Sequence, residues 1–144
     1  MAAYFVGVDL GGTSIKAGLV DENAVVKTSF SIPTGQGPEV VVKNLIAAAE
    51  RAIAQAGVDR KDVVGIGIGS PGPMSHKNGM VINAGNLPGM KNVPVRDLVS
   101  KATGIRTTLE NDANAAAWGE LWAGAGKGVQ DLVMFTLGTG VGGG

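Results

Sequence analysis

The sequence predicts an α/β protein with a mixed sheet that opens with three antiparallel strands and carries helices on both of its faces. Two observations support this fold class. The first three apolar runs are separated by turns of only a few residues, and connections this short join antiparallel strands. Further along, helical periodicity alternates with short apolar runs, which is typical of parallel strands connected by helices.

The opening strands are predicted at residues 4–10, 15–20 and 24–32. The turn "GGTS" separates the first two strands, and the turn "DEN" separates the second from the third. A helix is predicted from Pro38, which suits a first helical turn, to Gly57, which suits the end of a helix. Its apolar residues recur at i, i+3 and i+4 spacing, so one face of this helix is expected to cover the sheet.

The second half of the chain begins with "VVGIGIGS" at residues 63–70, a continuous apolar run typical of a buried parallel strand. A loop rich in Pro, Gly and Asn follows, with a hairpin turn predicted at Asn78-Gly79. The remaining predicted elements are a helix at 95–103, a strand at 106–110, a helix beginning near Asn111 or Asp112, and a last strand at 132–136.

Composition limits the classes of function. Hydrophobic residues make up 44% of the 144 residues and charged residues 17%, which suits one folded domain rather than a disordered chain. Twelve basic residues balance twelve acidic ones, so no net charge favours nucleic acid or an anionic membrane as a partner. The lack of cysteine excludes disulfides, a thiol nucleophile and a cysteine metal site. With no secretory signal or membrane span in the sequence, we expect a cytoplasmic protein.

The first candidate site is "DLGGTSIK", in which Asp9 ends the first strand and a Gly-Gly-Thr turn follows. Such a turn can present successive backbone N–H groups and a hydroxyl group to a phosphate, and Lys16 adds a cation. Asp9 can hold a magnesium ion, directly or through water. The same eight residues also fit an ordinary hairpin with an aspartate at its mouth.

The second candidate site is "ENDANAAA", at a strand-to-helix junction of the kind where open α/β sheets bind ligands. At such a junction Asp112 can accept a proton from a substrate hydroxyl, and Asn111 can hydrogen-bond a second hydroxyl. Asn and Asp are also preferred N-caps, and helix capping alone would explain both residues.

Two loops, "GSPGP" and "NAGNLPGM", combine rigid turn residues with the neutral amides of Asn83 and Asn86. Neutral amides on a stiff loop suit a polyol such as a sugar, although the same residue types are common in ordinary turns. His76 is expected to be a solvated loop histidine, because the sequence shows no cluster of partners for it.

The glycines of "LGTGVGGG" follow the last predicted strand, and Gly138, Gly140 and Gly143 match the pattern G-x-G-x-x-G. A dinucleotide-binding turn of the Rossmann type needs a helix next and an acidic residue about 20 positions further on, and the sequence supplies neither. The match alone is therefore weak.

Together these segments resemble the sugar kinases of the ROK (repressor, open reading frame, kinase) family, and among them the bacterial-type glucokinases. The resemblance rests on "GVDLGGTSIKAGLVD", "GIGIGSPGP", "NAGNLPGMKNVP", "LENDANAAAWGELWAGAGKG" and "LGTGVGGG", which stand in the family's order and at similar spacing. It implies the actin-like ATPase (ribonuclease H-like) fold, in which the active site lies between two lobes. Residues 1–144 are expected to form the N-terminal lobe, with the second lobe absent from this chain.

The resemblance also implies a role for each motif. Asp112 is expected to be the general base that takes the proton from the 6-hydroxyl of a hexose, with glucose the expected substrate, and Asp9 to help organise Mg²⁺. The residues implied to contact the ATP phosphates are Asp9, Gly11, Gly12, Thr13, Lys16 and, in a second phosphate loop, Gly138, Thr139 and Gly140. Those implied to contact the sugar are Gly72, Asn86, Asn111 and Asp112.

Two features depart from the family. Met90 stands where an aromatic residue is expected, which affects the packing of the sugar loop. The second lobe would carry the adenosine pocket, further sugar contacts and a cysteine-rich structural Zn²⁺ site, so the chain alone is expected to have weak or no activity. Dimers are common in the family, and a homodimer is among the assemblies that the resemblance implies.

Two other functions remain open. One is a sugar-binding transcriptional regulator of the same family, which would carry a helix-turn-helix before the first strand; here that strand is predicted to begin at residue 4. The other is a Rossmann-type dinucleotide-binding module, which the antiparallel opening strands disfavour.

Overall fold

The computed structural model describes residues 2–137 and 141–144. In chain order its elements are β1 (Tyr4–Leu10), β2 (Ser14–Asp21), β3 (Val26–Pro33), α1 (Pro38–Ala56), β4 (Val63–Ser70), β5 (Met74–Ser75), β6 (Met80–Asn83), β7 (Lys91–Val93), α2 (Val95–Thr103), β8 (Thr107–Asn111), α3 (Asp112–Ala123), β9 (Phe135–Leu137) and β10 (Val141–Gly143). A 3-10 turn, Arg60–Asp62, leads into β4.

The main sheet has five strands in the order β3-β2-β1-β4-β8. The first three strands pair antiparallel, and β4 and β8 run parallel to β1. The predicted fold class, a mixed sheet with an antiparallel opening, is therefore confirmed. The smaller strands form the ladder β5-β6-β7 and the hairpin β9-β10.

One face of the main sheet carries the core. Along β1 the side chains of Val6, Val8 and Leu10 are buried, whereas Phe5, Gly7 and Asp9 alternate with them on the exposed face. Helix α1 packs its apolar side on the buried face, and Gly57 ends it in the left-handed conformation (φ 65°) that glycine adopts without strain. Helix α2 packs beside α1 and β8 and extends this layer.

In the described part of the chain, the opposite face of the sheet is covered by a helix at one end only. Helix α3 contacts β4 and β8, and only Ala113 and Ala117 of this helix are buried. The middle of the face is formed by Gly7, Gly18 and Gly67, which are register partners on neighbouring strands. Because glycine has no side chain, these positions form the floor of an open groove of about 1250 Å³. Among the described residues, no helix combines the length and the apolar character needed to cross a membrane.

The last strand differs from its prediction. The sequence predicts it at 132–136, but β9 begins at Phe135 and pairs with β10 rather than with the main sheet in the described part of the chain. Backbone groups of Met134 and Gly144 extend this hairpin with two reciprocal hydrogen bonds of 2.9 Å. An apolar run of this length is compatible with several strand partners, and the choice between them depends on packing outside the run.

Candidate active site

Four residues lie in one row across the sheet, on the face opposite α1. Register pairing joins Lys16 of β2 to Asp9 of β1, Asp9 to Gly69 of β4, and Gly69 to Glu110 of β8. Since β1, β4 and β8 run parallel, all four lie towards the carboxyl edge of these strands, where open α/β sheets bind ligands. The pairing of β1 with β2 therefore makes two predicted site residues, Asp9 and Lys16, direct neighbours.

Asp9 lines the groove, with its side chain exposed on that side and its carboxyl group half-buried. Burial raises the pKa of Asp9, the positive charge of Lys16 lowers it, and the negative charge of Asp112 raises it further. The balance leaves the pKa of Asp9 above its ordinary value. Asp9 and Asp112, the two predicted carboxylates, line the same groove.

The turn after Asp9 has unused backbone donors. The N–H of Gly11 donates to the carbonyl O of Ser14 at 3.1 Å and closes the turn. A Cβ atom on Gly11 would lie 2.6 Å from the same oxygen, so only glycine fits there. Within the described residues, the N–H groups of Gly12 and Thr13 donate to no acceptor. Two successive free N–H groups are the arrangement by which backbone turns bind anions.

The N-terminus of α3 shows that Asn111 is a helix cap. Its Oδ1 accepts hydrogen bonds from the N–H groups of Ala113 at 3.0 Å and Asn114 at 3.3 Å. The capping alternative is thus correct for the oxygen of Asn111, while its Nδ2 donates to nothing in the described part of the chain. Asp112 follows as the first residue of the helix, and its Cα lies 3.6 Å from the Cβ position of Gly69.

The two predicted sugar loops pack together and against the phosphate turn. Gly72 has a φ of 83°, and a Cβ there would overlap the carbonyl O of Asn83, so glycine is required by both conformation and space. A Cβ on Gly12 would lie 3.1 Å from Nδ2 of Asn86, which places Asn86 directly beside the turn. Met90, the departure from the family pattern, is fully buried and anchors this loop in the core.

Glu110 and His76 were not predicted to contact each other. The ring Nε2 of His76 lies 3.0 Å from both carboxylate oxygens of Glu110, so the histidine is exposed but paired. Burial acts to raise the pKa of Glu110, but hydrogen bonds from the N–H of Asn111, from His76 and from Asn114 together lower it. The partners are 34 residues apart, and the only signal in the sequence was the position of Glu110 next to "ND".

The structure thus brings most of the predicted site residues to one edge of the sheet. They are Asp9, Gly11, Gly12, Thr13 and Lys16 on one side, and Gly72, Asn86, Asn111 and Asp112 on the other. The residues predicted for the second phosphate loop, Gly138, Thr139 and Gly140, lie outside the described residues.

The carboxylates fit a magnesium ion that is shared with a substrate. Among the described residues, no three acidic or histidine side chains form a cluster that could hold a metal ion alone. Mg²⁺ does not need one, because it usually keeps several waters and is held by one or two carboxylates together with substrate phosphates. Asp9 supplies such a carboxylate directly before the turn with the free N–H groups, and Asp112 lines the same groove.

Comparison with known proteins identifies relatives of this chain in the ROK family. The ROK family model matches residues 5–144. Glucokinase from Thermotoga maritima is 42% identical over 141 residues, which cover 96% of this chain and 43% of the relative. A ROK hexokinase structure from Thermus thermophilus matches with a TM-score of 0.87 and 41% identity, over 100% of this chain and 46% of the other. A structure of a ROK family glucokinase from Streptomyces griseus in complex with glucose and AMPPNP matches with a TM-score of 0.87 and 40% identity, over 98% and 43%.

Repressors are also similar to this chain. Xylose repressor from Caldicellulosiruptor bescii is 33% identical over 143 residues, which cover 96% of this chain and 35% of the repressor. The chain spans less than half the length of these curated relatives.

Proposed function

This chain belongs to the ROK family, and from that premise we propose that it forms the N-terminal lobe of an ATP-dependent hexose kinase acting on the 6-hydroxyl of glucose. The observation that supports the proposal best is that Asp112 and Asp9 line one groove and that Asp9 is followed by a turn with free N–H groups at Gly12 and Thr13. A general base, a carboxylate for a metal ion and an anion-binding turn are the groups that phosphoryl transfer requires. The glucose and AMPPNP in the similar Streptomyces griseus structure agree with these substrates.

In this proposal each side chain has a separate task. The carboxylate of Asp112 accepts the proton of the sugar 6-hydroxyl, whose oxygen forms a bond to the γ-phosphorus of ATP while the bond from that phosphorus to the ADP oxygen breaks. Lys16 and the N–H groups of the turn neutralise charge on the phosphates. Asn111 donates through Nδ2 to a sugar hydroxyl, and Asn86 and the turn at Gly72 hold other hydroxyls. Bound Mg²⁺ would neutralise further phosphate charge, and Asp9 would hold it.

The other half of the active site is proposed to come from a second lobe. Gly138, Thr139 and Gly140 are proposed to form a second phosphate loop at the border between the lobes. Positioning both reactants is the main contribution of a protein to phosphoryl transfer, so one lobe alone is expected to give weak or no turnover.

A hybrid protein tests the proposal. Residues 1–144 are fused to the remaining C-terminal part of Thermotoga maritima glucokinase, and glucose phosphorylation by ATP and Mg²⁺ is followed in a coupled assay. We expect the hybrid to turn over, and Asp112→Asn to lower kcat by about 10²–10⁴-fold with little change in glucose affinity, because a general base acts in the transition state. Asp97→Asn, at an exposed aspartate of α2, is the matched control.

Two outcomes would count against the kinase. Unchanged kcat in the Asp112→Asn hybrid would show that Asp112 is not the general base. A hybrid that folds and binds glucose but shows no turnover would favour the sugar-binding regulator, the alternative that the similarity to the xylose repressor keeps open.

A further inference from the structure

Thr34 is a fully buried polar residue directly behind the phosphate turn. It follows β3 and has 0% of its surface exposed. Its Oγ1 donates to the carbonyl O of Gly11 at 2.7 Å, and its N–H donates to the carbonyl O of Thr13 at 3.0 Å. One residue therefore holds two carbonyl groups of the turn, on either side of Gly12.

Helix α1 fixes Thr34 in turn. Nδ2 of Asn44 donates to the carbonyl O of Thr34 at 3.0 Å and lies 3.3 Å from that of Pro33. The turn is thereby connected through Thr34 to the best-packed helix of the core, and the position of Thr34 is defined from both sides.

The hydrogen bond to Gly11 determines where the N–H of Gly12 points. The carbonyl of Gly11 and the N–H of Gly12 belong to the same planar trans peptide unit and point in opposite directions. Holding the carbonyl towards buried Thr34 therefore directs the N–H of Gly12 away from the core, where it donates to no acceptor among the described residues. A peptide unit between two glycines is the one most free to rotate, because glycine tolerates both signs of φ.

We propose that Thr34 is a positioning residue, and that its hydroxyl group keeps the Gly11–Gly12 peptide in the orientation that presents the N–H of Gly12 to a nucleotide phosphate. The inference rests on the proposed nucleotide site. Without the hydroxyl group the peptide samples both orientations, and only one of them binds phosphate.

Thr103 provides a matched comparison. It is also buried, and its Oγ1 donates to a backbone carbonyl, that of Val99 in α2, at 2.8 Å. Substitution with valine removes a hydrogen bond to a backbone carbonyl at either position, and at Thr103 it also removes the bond that the N–H of Ile105 donates to Oγ1 at 3.3 Å. Only the hydrogen bond of Thr34 reaches the phosphate turn. Comparing Thr34→Val with Thr103→Val therefore separates an effect on the orientation of the turn from a general loss of stability.

The test uses the ¹⁵N-labelled 144-residue chain. The amide resonances of Gly12 and Thr13 are recorded without ligand and then during titration with MgATP. In Thr34→Val we expect these two resonances to broaden or double, and the Kd for MgATP to rise about tenfold, because apparent affinity falls with the fraction of chains in the binding orientation. Thr34→Ser, which keeps the hydroxyl group, is expected to restore both readouts, and Thr103→Val to leave both unchanged.

Sharp, unshifted Gly12 and Thr13 resonances in Thr34→Val would overturn the inference, as would an equal change in Thr103→Val. If Thr34→Val does not fold, Thr34→Ala removes the hydroxyl group without an added methyl and is read in the same way. If the wild-type chain binds no MgATP, the titration is repeated with the hybrid that carries a second lobe, and a hybrid that binds none either contradicts the proposed nucleotide site. The unliganded resonances still decide the role of Thr34.

Discussion

Asp9 is proposed to hold Mg²⁺, although its partly buried position disfavours the charged carboxylate. An acid whose pKa is raised on folding binds its proton more tightly in the folded protein than in the unfolded chain. Its burial therefore lowers stability as pH rises from the ordinary value of 3.8 through the higher folded value. Above both values the folded protein holds a carboxylate that the unfolded chain would solvate better. Such a cost is typical of residues retained for a ligand.

We expect Asp9→Asn to raise the free energy of unfolding at pH 7 and to abolish binding of MgATP. Urea denaturation at pH 7 and at pH 3 is the measurement. The gain should vanish at pH 3, where Asp9 is protonated in both states. Asp131→Asn, at an exposed aspartate, is the control and should show no gain. Loss of stability at pH 7 in Asp9→Asn would show that the carboxylate is structural.

Gly12 connects the phosphate turn to the sugar loop. A Cβ at this position would lie 3.1 Å from Nδ2 and 3.2 Å from the carbonyl O of Asn86, which is closer than an ordinary contact. We expect Gly12→Ala to push Asn86 outwards and to raise KM for both glucose and ATP in the hybrid kinase. Gly85→Ala, which places its Cβ in open space within the same loop, is the control. A rise in KM for ATP alone would show that the two loops do not act on each other.

At the scale of elements, the β5-β6 hairpin is joined to the start of α3 by Glu110. Its carboxylate accepts from the N–H of Asn111 at 2.8 Å, from Nδ2 of Asn114 at 3.1 Å, and pairs with His76. The pKa of Glu110 is lowered, since these hydrogen bonds outweigh the effect of burial. A carboxylate whose pKa is lowered on folding stabilises the protein at pH values above 4.5, the pKa of the group in the unfolded chain. This stabilisation is lost as the pH falls through the pKa of the group in the folded protein.

Glu110→Gln is therefore expected to lower the free energy of unfolding at pH 7 by about 1.5 kcal/mol, the lower end for hydrogen bonds to a charged group, because the side chain is partly exposed. At pH 3 the difference from wild type should largely disappear. Urea denaturation across this pH range checks the prediction, and Glu22→Gln, at an exposed glutamate, serves as the control. An equal loss at both pH values would assign the effect to packing of the side chain instead of its charge.

Local sequence patterns predicted where helices and strands begin and end better than they predicted which elements and side chains pair with each other. The bounds of β1, β4 and α2 agree with the sequence prediction because each is a strongly patterned run flanked by glycine, proline or charged residues. The partner of β9, the pairing of His76 and the buried hydrogen bonds of Thr34 were not predicted. Each depends on residues distant in sequence that the fold brings together, and a local pattern does not contain that information. The row formed by Lys16, Asp9, Gly69 and Glu110 was missed likewise, because strand register is set by the whole sheet.

At the scale of the whole molecule, apolar side chains are exposed around the end of the sheet that carries α3 and the β9-β10 hairpin. Trp118 is 65% exposed, and Phe135 and Leu137 are 72% and 83% exposed. The hairpin contacts α3, so these residues belong to one region. Apolar surface concentrated in this way favours association, and the formal net charge of zero provides no repulsion between copies.

We expect the 144-residue chain to self-associate with rising concentration near neutral pH, through the region around the hairpin. Sedimentation velocity over a range of concentrations measures this, and Phe135→Ser combined with Leu137→Ser should shift the distribution towards monomer because it removes two large, strongly exposed apolar side chains. Leu98→Ser, at an exposed leucine of α2 outside this region, is the control and should not change the distribution. In the hybrid, a second lobe that covers this region would weaken association of the wild-type sequence as well. Association that persists in the double variant but is lost in Leu98→Ser would place the contact on the face of the sheet that carries α1 and α2.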